Sequence, residues 1–88
     1  MVNIEFTKEF QIIFSKIKDS SLKLKIIKQL KKLKENPEVG KPMRNLRKGT
    51  RELYIKPFRL FMTFRLSYSY LREIDTIYLL DIYHKKNQ

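Results

Sequence analysis

The 88-residue sequence contains no cysteine, a single histidine and only two glycines. Without cysteine the chain can form neither disulfide bonds nor thiolate metal sites, which fits a reducing compartment. No stretch approaches the roughly 20 apolar residues that a membrane-spanning helix needs. The N-terminus also lacks the basic region and apolar core of a secretory signal. We therefore expect a cytoplasmic protein with no membrane association.

Acidic residues are scarce as well. Nine Asp and Glu stand against 20 Lys and Arg, so the formal net charge is +11. A body this basic attracts polyanions such as nucleic acid, but anionic membranes and acidic proteins respond to the same field, and charge alone does not choose among them. The single histidine and the scattered carboxylates form no metal-ligand spacing, and no glycine-rich phosphate loop is present. We expect no metal and no cofactor.

The apolar content, 42% of all residues, is high enough for folding as one domain over residues 1–88. Strict alternation predicts a short strand at residues 2–6. Apolar residues at three-and-four spacing then predict two helices, with N-caps at Thr7 and in the Asp19-Ser20-Ser21 segment. The second helix should end at Asn36-Pro37, because proline cannot continue it.

The second half of the chain predicts strands. Alternating runs lie on either side of a predicted turn at residues 56–59, a polar connection is expected at 67–73, and a last strand runs from Ile74 to about Tyr83. That strand is apolar at both parities, with Tyr78, Leu80 and Ile82 on one side and Ile77 and Leu79 on the other, so we expect it inside the sheet. The order β-α-α-β-β-β predicts an α+β fold, in which two N-terminal helices pack on one face of a small, mainly antiparallel four-stranded sheet.

Alternation also predicts the chemistry of the opposite face of this sheet. Tyr54 and Lys56 fall on the face away from Leu53 and Ile55, and the next run places its arginines there too. The uncovered face should therefore carry cations, which makes it a candidate receptor for phosphates.

Five short segments stand out by their order and spacing. They are the Asn36-Pro37 helix end, GKPMRNLR at 40–47, RELYI at 51–55, the Phe58-Arg59 pair and IYHK at 82–85. In this arrangement, over nearly the whole chain, the sequence resembles the RelE/ParE toxin superfamily of type II toxin–antitoxin systems, most closely the RelE-type mRNA interferases of archaea or bacteria. The resemblance implies a RelE-like toxin domain that cuts mRNA in the ribosomal A site and inhibits translation. It also implies an acidic RelB-like antitoxin that wraps the toxin in a heterotetramer or larger assembly.

Ribonuclease chemistry is compatible with these residue types. No metal is needed when the 2′-hydroxyl attacks the adjacent phosphate, because the protein then only orients the strand, moves protons and stabilises charge. Arg59 is the main candidate to hold the scissile phosphate through its guanidinium fork, the alternative being a surface ion pair. Lys56 matches a catalytic basic residue of the family and acts as a base only if nearby cations lower its pKa. Tyr54 stands where some relatives carry another lysine, and it either stacks a base or merely shields the sheet.

The last strand supplies the other catalytic candidates. His84 matches a position where several relatives carry a functional histidine, although alternation sends it toward the helices and sends Asp81, Tyr83 and Lys85 to the open side. Lys85 matches a basic residue that stabilises charge or protonates the leaving oxygen, the alternative being a tail lysine without a role. The family's further C-terminal tyrosine has no counterpart before Gln88, so its role is either filled by Tyr83 or absent.

Basic residues elsewhere are candidate RNA contacts. The six lysines on the polar face of the second helix have few acidic neighbours and fit sequence-independent contact with ribosomal RNA phosphates, the alternative being a solvated face that keeps the protein soluble. Arg47 matches a basic loop position that approaches RNA in the family. The predicted contacts are Arg44, Arg47, Lys48, Arg51, Tyr83, Lys28 and Lys32.

Two other functions stay open. A ParE-like relative would bind DNA gyrase and poison it without cutting RNA, and a non-catalytic basic module would only bind RNA. The set of Arg59, Lys56, Lys85 and His84 favours the nuclease, because a gyrase inhibitor has no need of convergent cationic and titratable groups.

Overall fold

The computed structural model describes residues 2–43, 49–59 and 62–84, and for residues 56–59, 62, 63 and 84 it describes the backbone alone. In these ranges the elements are β1 (Asn3–Phe6), α1 (Lys8–Lys16), α2 (Ser20–Glu35), β2 (Lys41–Pro42), β3 (Arg51–Arg59), β4 (Met62–Leu71), a 3-10 turn (Arg72–Ile74) and β5 (Thr76–His84). The strands form one sheet in the order β1-β5-β4-β3-β2. β1 runs parallel to β5, and the other neighbouring pairs are antiparallel. The predicted α+β fold is confirmed, with the short strand β2 in addition.

Both helices begin at the predicted caps. The Thr7 hydroxyl accepts a hydrogen bond from the Phe10 N–H at 3.2 Å, and the Asp19 carboxylate accepts one from the Leu22 N–H at 3.0 Å. Each cap thus satisfies a backbone donor that the first turn of a helix leaves unpaired. The Thr7 hydroxyl also donates to the Leu79 carbonyl at 2.6 Å, which fixes the start of α1 to β5.

The core lies between the helices and one face of the sheet. Its buried side chains, at 6% exposure or less, are Phe10, Leu22, Ile26, Leu33, Ile55, Leu66, Tyr68, Ile77, Leu79 and Ile82. Both layers contribute, so removal of this apolar surface from water stabilises the helices and the sheet together. The face of the sheet that points away from this core is termed the open face.

The predicted turn at residues 56–59 is wrong, because β3 continues through them to Arg59. Ile55 pairs with Phe64, whereas Arg59 pairs with Met62, so four steps along β3 correspond to two steps along β4. Such an irregularity accommodates Pro57, which cannot donate to a regular ladder. Alternation counted from Tyr54 therefore does not carry through to Arg59.

The predicted polar connection at residues 67–73 is also wrong, since β4 extends to Leu71. Tyr68 is fully buried there, whereas Ser69 is only partly covered. Alternating serine and tyrosine look polar in composition, yet tyrosine is a strong strand former and its ring belongs in the core.

β5 lies between β1 and β4, so its predicted place inside the sheet is confirmed. The predicted placement of Ile82 on the opposite face from Ile77 and Leu79 is wrong. Ser67 pairs with Asp81 while Tyr68 pairs with Leu79, which leaves Leu80 as an extra residue. This bulge returns Ile82 to the core face together with Leu79.

The segment after α2 is held by a tyrosine from the centre of the sheet. The Tyr68 hydroxyl donates to the Pro37 carbonyl at 2.9 Å and accepts from the Gly40 N–H at 2.8 Å. Arg51 donates to the carbonyls of Glu38 at 3.0 Å and Gly40 at 2.8 Å. Burial raises the pKa of Tyr68 above its ordinary value, because a desolvated phenol resists ionisation.

Candidate nucleic-acid interface on the open face

Strand register brings several predicted catalytic positions to one end of the sheet. Two cross-strand rows run from β3 through β4 to β5, namely Tyr54–Arg65–Tyr83 and Ile55–Phe64–His84. Lys56 directly follows the second row on β3. Because neighbouring strands lie about 4.8 Å apart, β3 and β5 are separated by about 10 Å here, a distance that long side chains can bridge.

The structure describes these predicted residues to different extents. Tyr54 and Tyr83 are described with their side chains, whereas for Lys56, Arg59 and His84 only the backbone is described. The other predicted residues, Lys85, Arg44, Arg47 and Lys48, lie outside the described residues. Tyr54, Lys56 and His84 are therefore close along the backbone, but His84 lies in the row of the buried core residue Ile55, which is the helix-facing side that alternation predicts. The directions of the cationic side chains stay predictions.

A buried ion pair lies in the row beside these positions. Arg65 donates through Nη1 to Glu52 Oε1 at 2.7 Å, and the Tyr83 hydroxyl donates to the second oxygen, Glu52 Oε2. The side chains of Arg65 and Glu52 are only 15% and 7% exposed. A buried charge without its partner is costly, so Glu52 and Arg65 fix each other in place. This group of Glu52, Arg65 and Tyr83 is termed the open-face network.

Tyr54 lies against this network. The Arg65 guanidinium carbon is 4.3 Å from the centre of the Tyr54 ring, a cation–π contact. About half of Tyr54, 51%, nevertheless remains exposed. The arrangement presents an aromatic ring to solvent on a fixed cationic support.

The open face is less cationic than alternation predicts. Among its described side chains the register places two cations, Arg65 and Lys41, and three carboxylates, Glu5, Glu52 and Asp81. Arg65 is neutralised by Glu52. The prediction of a cation-covered face is therefore wrong for the part of the sheet that has described side chains. Any phosphate-binding charge would have to come from the predicted residues at the end of β3 and β5.

Sequence reasoning missed Glu52 and understated Arg65. Alternation assigns a face to each residue, but it does not say which residue on the next strand lies opposite or diagonal to it. The available signal was the pairing of the two strands themselves, which makes Tyr54 the neighbour of Arg65 and leaves Glu52 one position further along the same face. An acidic residue facing an arginine across a hairpin indicates an ion pair rather than a phosphate receptor.

Positive charge is concentrated on α2. Lys28, Lys31, Lys32 and Lys34 are exposed there, which agrees with the predicted lysine face. Arg51, in contrast, is engaged with the backbone of residues 38–40 and with the Glu38 carboxylate at 3.4 Å. Its guanidinium holds the loop, so it is a poor candidate for RNA contact.

The described residues contain no group of three or more His, Asp or Glu side chains that could hold a metal ion. In the same ranges no helix combines the length and the apolar composition required to cross a bilayer.

This chain is similar to known proteins in both sequence and fold. A family model described as the ParE toxin of the type II toxin–antitoxin system parDE matches residues 4–88. The sequence has no significant match among curated proteins.

Solved structures share the fold over most of their length. In the RelBE2 toxin–antitoxin complex of Mycobacterium tuberculosis, a chain is 25% identical with a TM-score of 0.73, and the match covers 96% of this chain and 98% of that one. In the intact RelBE complex of Escherichia coli, a chain is 14% identical with a TM-score of 0.78 and full coverage of both, 100% and 100%. A mutant of the E. coli toxin RelE bound to an antitoxin peptide is 15% identical with a TM-score of 0.76, with coverage of 99% and 85%. The family match over nearly the whole sequence and the shared RelE fold lead to one conclusion: the chain belongs to the ParE toxin family of type II toxin–antitoxin systems, within the RelE/ParE superfamily.

Proposed function

We propose that this toxin inhibits translation by cutting mRNA in the ribosomal A site. The observation that supports this proposal is the register of the sheet, which gathers the backbone of Tyr54, Lys56 and His84 at one end, with Arg59 at the end of the same strand β3. A single-stranded RNA lying across this end would meet residues from two strands that are about 10 Å apart.

The proposed reaction needs no metal. The 2′-oxygen loses its proton and bonds to phosphorus, the bond from phosphorus to the 5′ oxygen breaks, and that oxygen takes up a proton, which leaves a 2′,3′-cyclic phosphate and a 5′-hydroxyl. Arg59 holds the phosphate and stabilises the added negative charge. Lys56 supports the same charge or accepts the first proton, and His84 or Lys85 delivers the second.

The lysine face of α2 supplies a second, less specific contact in this proposal. Lys28 and Lys32 are exposed and one helical turn apart, and Lys31 is exposed beside Lys32. Ammonium groups in such a row neutralise phosphates of a folded RNA without reading its sequence. They would dock the toxin on the ribosome while the end of the sheet acts on the mRNA.

An acidic antitoxin is the proposed protein partner. An apolar groove runs between β1 and the two helices, lined by Phe6, Phe10, Phe14, Ile27 and Leu30. Phe6 and Ile27 remain 47% and 41% exposed, which is unfavourable in an isolated chain. Lysines flank the groove. A segment with apolar and acidic side chains would cover it, and the similar M. tuberculosis and E. coli structures are complexes with antitoxins.

Gyrase inhibition is the second candidate function. It is favoured by the family model itself, which is described as a ParE toxin, and by the neutralised Arg65 on the open face. A gyrase inhibitor needs a binding surface and no proton-transfer groups.

The decisive experiment compares Arg59→Ala with Arg72→Ala in a reconstituted translation reaction. Arg72 is an exposed arginine that pairs with Glu38, so its removal changes the net charge equally and is the matched control. We expect codon-positioned cuts by the wild type, a loss on the order of 10²- to 10³-fold for Arg59→Ala, as for removal of a group that stabilises a transition-state charge, and near-normal cutting by Arg72→Ala. Unchanged cutting by Arg59→Ala would eliminate the proposed site. Inhibition of DNA supercoiling without any mRNA cleavage would instead establish the gyrase alternative.

A further inference from the structure

We propose that Tyr54 is a nucleobase-stacking platform and that Glu52 and Arg65 are the positioning residues that hold it. The inference deepens the proposed function, on which it rests for the choice of RNA as the ligand. It assigns a role to the open-face network, which the phosphate chemistry above does not use.

The first step of the argument is that Arg65 cannot serve as a phosphate ligand. Its guanidinium is bound to Glu52 at 2.7 Å, and its side chain is only 15% exposed. To reach a phosphate it would have to leave Glu52 charged and buried, because Glu52 is 6% exposed as a residue. Arg65 is therefore fixed beneath the surface rather than available above it.

The second step is that Glu52 binds the other two residues of the cross-strand row that contains Tyr54. One carboxylate oxygen accepts from Arg65 and the other accepts from the Tyr83 hydroxyl. Tyr54, Arg65 and Tyr83 occupy one row on β3, β4 and β5. A single carboxylate on β3 thus ties β3 to β4 and β5 and holds the guanidinium that contacts the Tyr54 ring.

The third step concerns what the ring can bind. The guanidinium carbon lies 4.3 Å from the ring centre, so one side of Tyr54 is supported, while 51% of the residue remains exposed. Unpaired RNA bases stack on aromatic rings of this kind, and every base offers a suitable flat face. A double-stranded RNA keeps its bases stacked on each other and cannot use the ring. The ligand class is therefore a single-stranded nucleotide, placed two residues from Lys56 along β3.

The test measures stacking apart from cutting. A ribosome is programmed with an mRNA whose A-site codon contains 2-aminopurine, with 2′-O-methyl groups that block cleavage, and the fluorescence of the probe is followed as toxin is added. Wild type and Tyr54→Phe should quench the probe equally, since both carry a ring. Tyr54→Leu should abolish the quenching, and on cleavable mRNA it should raise KM by about 5- to 150-fold, the range of base–aromatic stacking.

The positioning residues need a separate variant, because removal of one charge would leave the other buried and could unfold the chain. The pair Glu52→Gln/Arg65→Met removes both charges together and keeps an acceptor for Tyr83. It should raise KM in the wild-type background and have no further effect in the Tyr54→Leu background. A purely structural role would lower stability and activity equally in both backgrounds, and thermal unfolding followed by circular dichroism measures that contribution.

The outcomes separate this inference from the proposed function. Normal cutting of mRNA with no quenching by the wild type, or equal quenching by Tyr54→Leu, overturns the stacking platform and leaves the nuclease standing. Ring-dependent quenching without any cutting overturns the nuclease and leaves the platform standing. If the wild type neither quenches the probe nor cuts mRNA, both the stacking platform and the nuclease are overturned.

Discussion

The hydroxyl group of Tyr68 should be one of the most important single polar groups for the stability of the folded chain. Tyr68→Phe keeps the buried ring and removes the group that bonds the Pro37 carbonyl at 2.9 Å and the Gly40 N–H at 2.8 Å. Because Gly40 is buried, its N–H loses its partner without gaining water, at a cost of about 1–3 kcal/mol, and the less buried Pro37 carbonyl adds a smaller cost. We expect the free energy of unfolding to fall by about 2 kcal/mol or more. In a domain of this size that lowers Tm by roughly 10 °C.

The assay is thermal unfolding followed by circular dichroism, with Tyr78→Phe as the matched control. Tyr78 is a partly covered tyrosine on β5, so the same chemical change there should shift Tm little. A Tm for Tyr68→Phe within about 2 °C of the wild type would refute the claim that these two hydrogen bonds hold the loop.

The same tyrosine predicts a dependence on alkaline pH. Burial raises the pKa of Tyr68 in the folded chain, whereas the unfolded phenol ionises near its ordinary value of about 10. Its contribution is therefore complete below about pH 10 and is lost as the pH rises through the folded pKa. The difference in stability between wild type and Tyr68→Phe should shrink over that range, as measured by denaturant titrations at increasing pH. A difference that grows with pH would contradict the assignment.

Three further predictions follow from particular contacts. Gly40→Ala would place a Cβ 2.6 Å from the Tyr68 hydroxyl oxygen, so we expect a loss of about 1–3 kcal/mol in urea unfolding. Asp19→Ala removes the cap of α2 and should cost about 1 kcal/mol in the same assay, and Asp19→Asn, which keeps an acceptor, should restore most of it. Lys28→Gln/Lys32→Gln should weaken ribosome binding and reduce the steepness of its salt dependence, whereas an unchanged salt slope would show that this face is only solvated.

Local features of the fold were predictable from sequence. The caps at Thr7 and Asp19 and the end of α2 before Pro37 depend on residues within one turn of each other, so the pattern contains all the information needed. The interior position of β5 was predicted from its apolar residues at both parities.

Features that depend on pairing between strands were not predictable. The bulge at Leu80 and the irregular stretch after Ile55 are decided by which partner each strand meets, and alternation assumes a regular ladder. The burial of Tyr68 was missed because it follows from a loop that folds back over it. The ion pair of Glu52 with Arg65 in the candidate site was missed for the same reason, because predicting it requires knowing which residues face each other across β3 and β4.

The position of β5 has a consequence for synthesis on the ribosome. β5 is made after every other described element, yet it is the strand that joins β1 to the rest of the sheet. Until it leaves the exit tunnel, β1 has no hydrogen-bonded neighbour, and α1 lacks the tie from Thr7 to Leu79. Folding of the whole domain is thus delayed until β5 itself has left the exit tunnel.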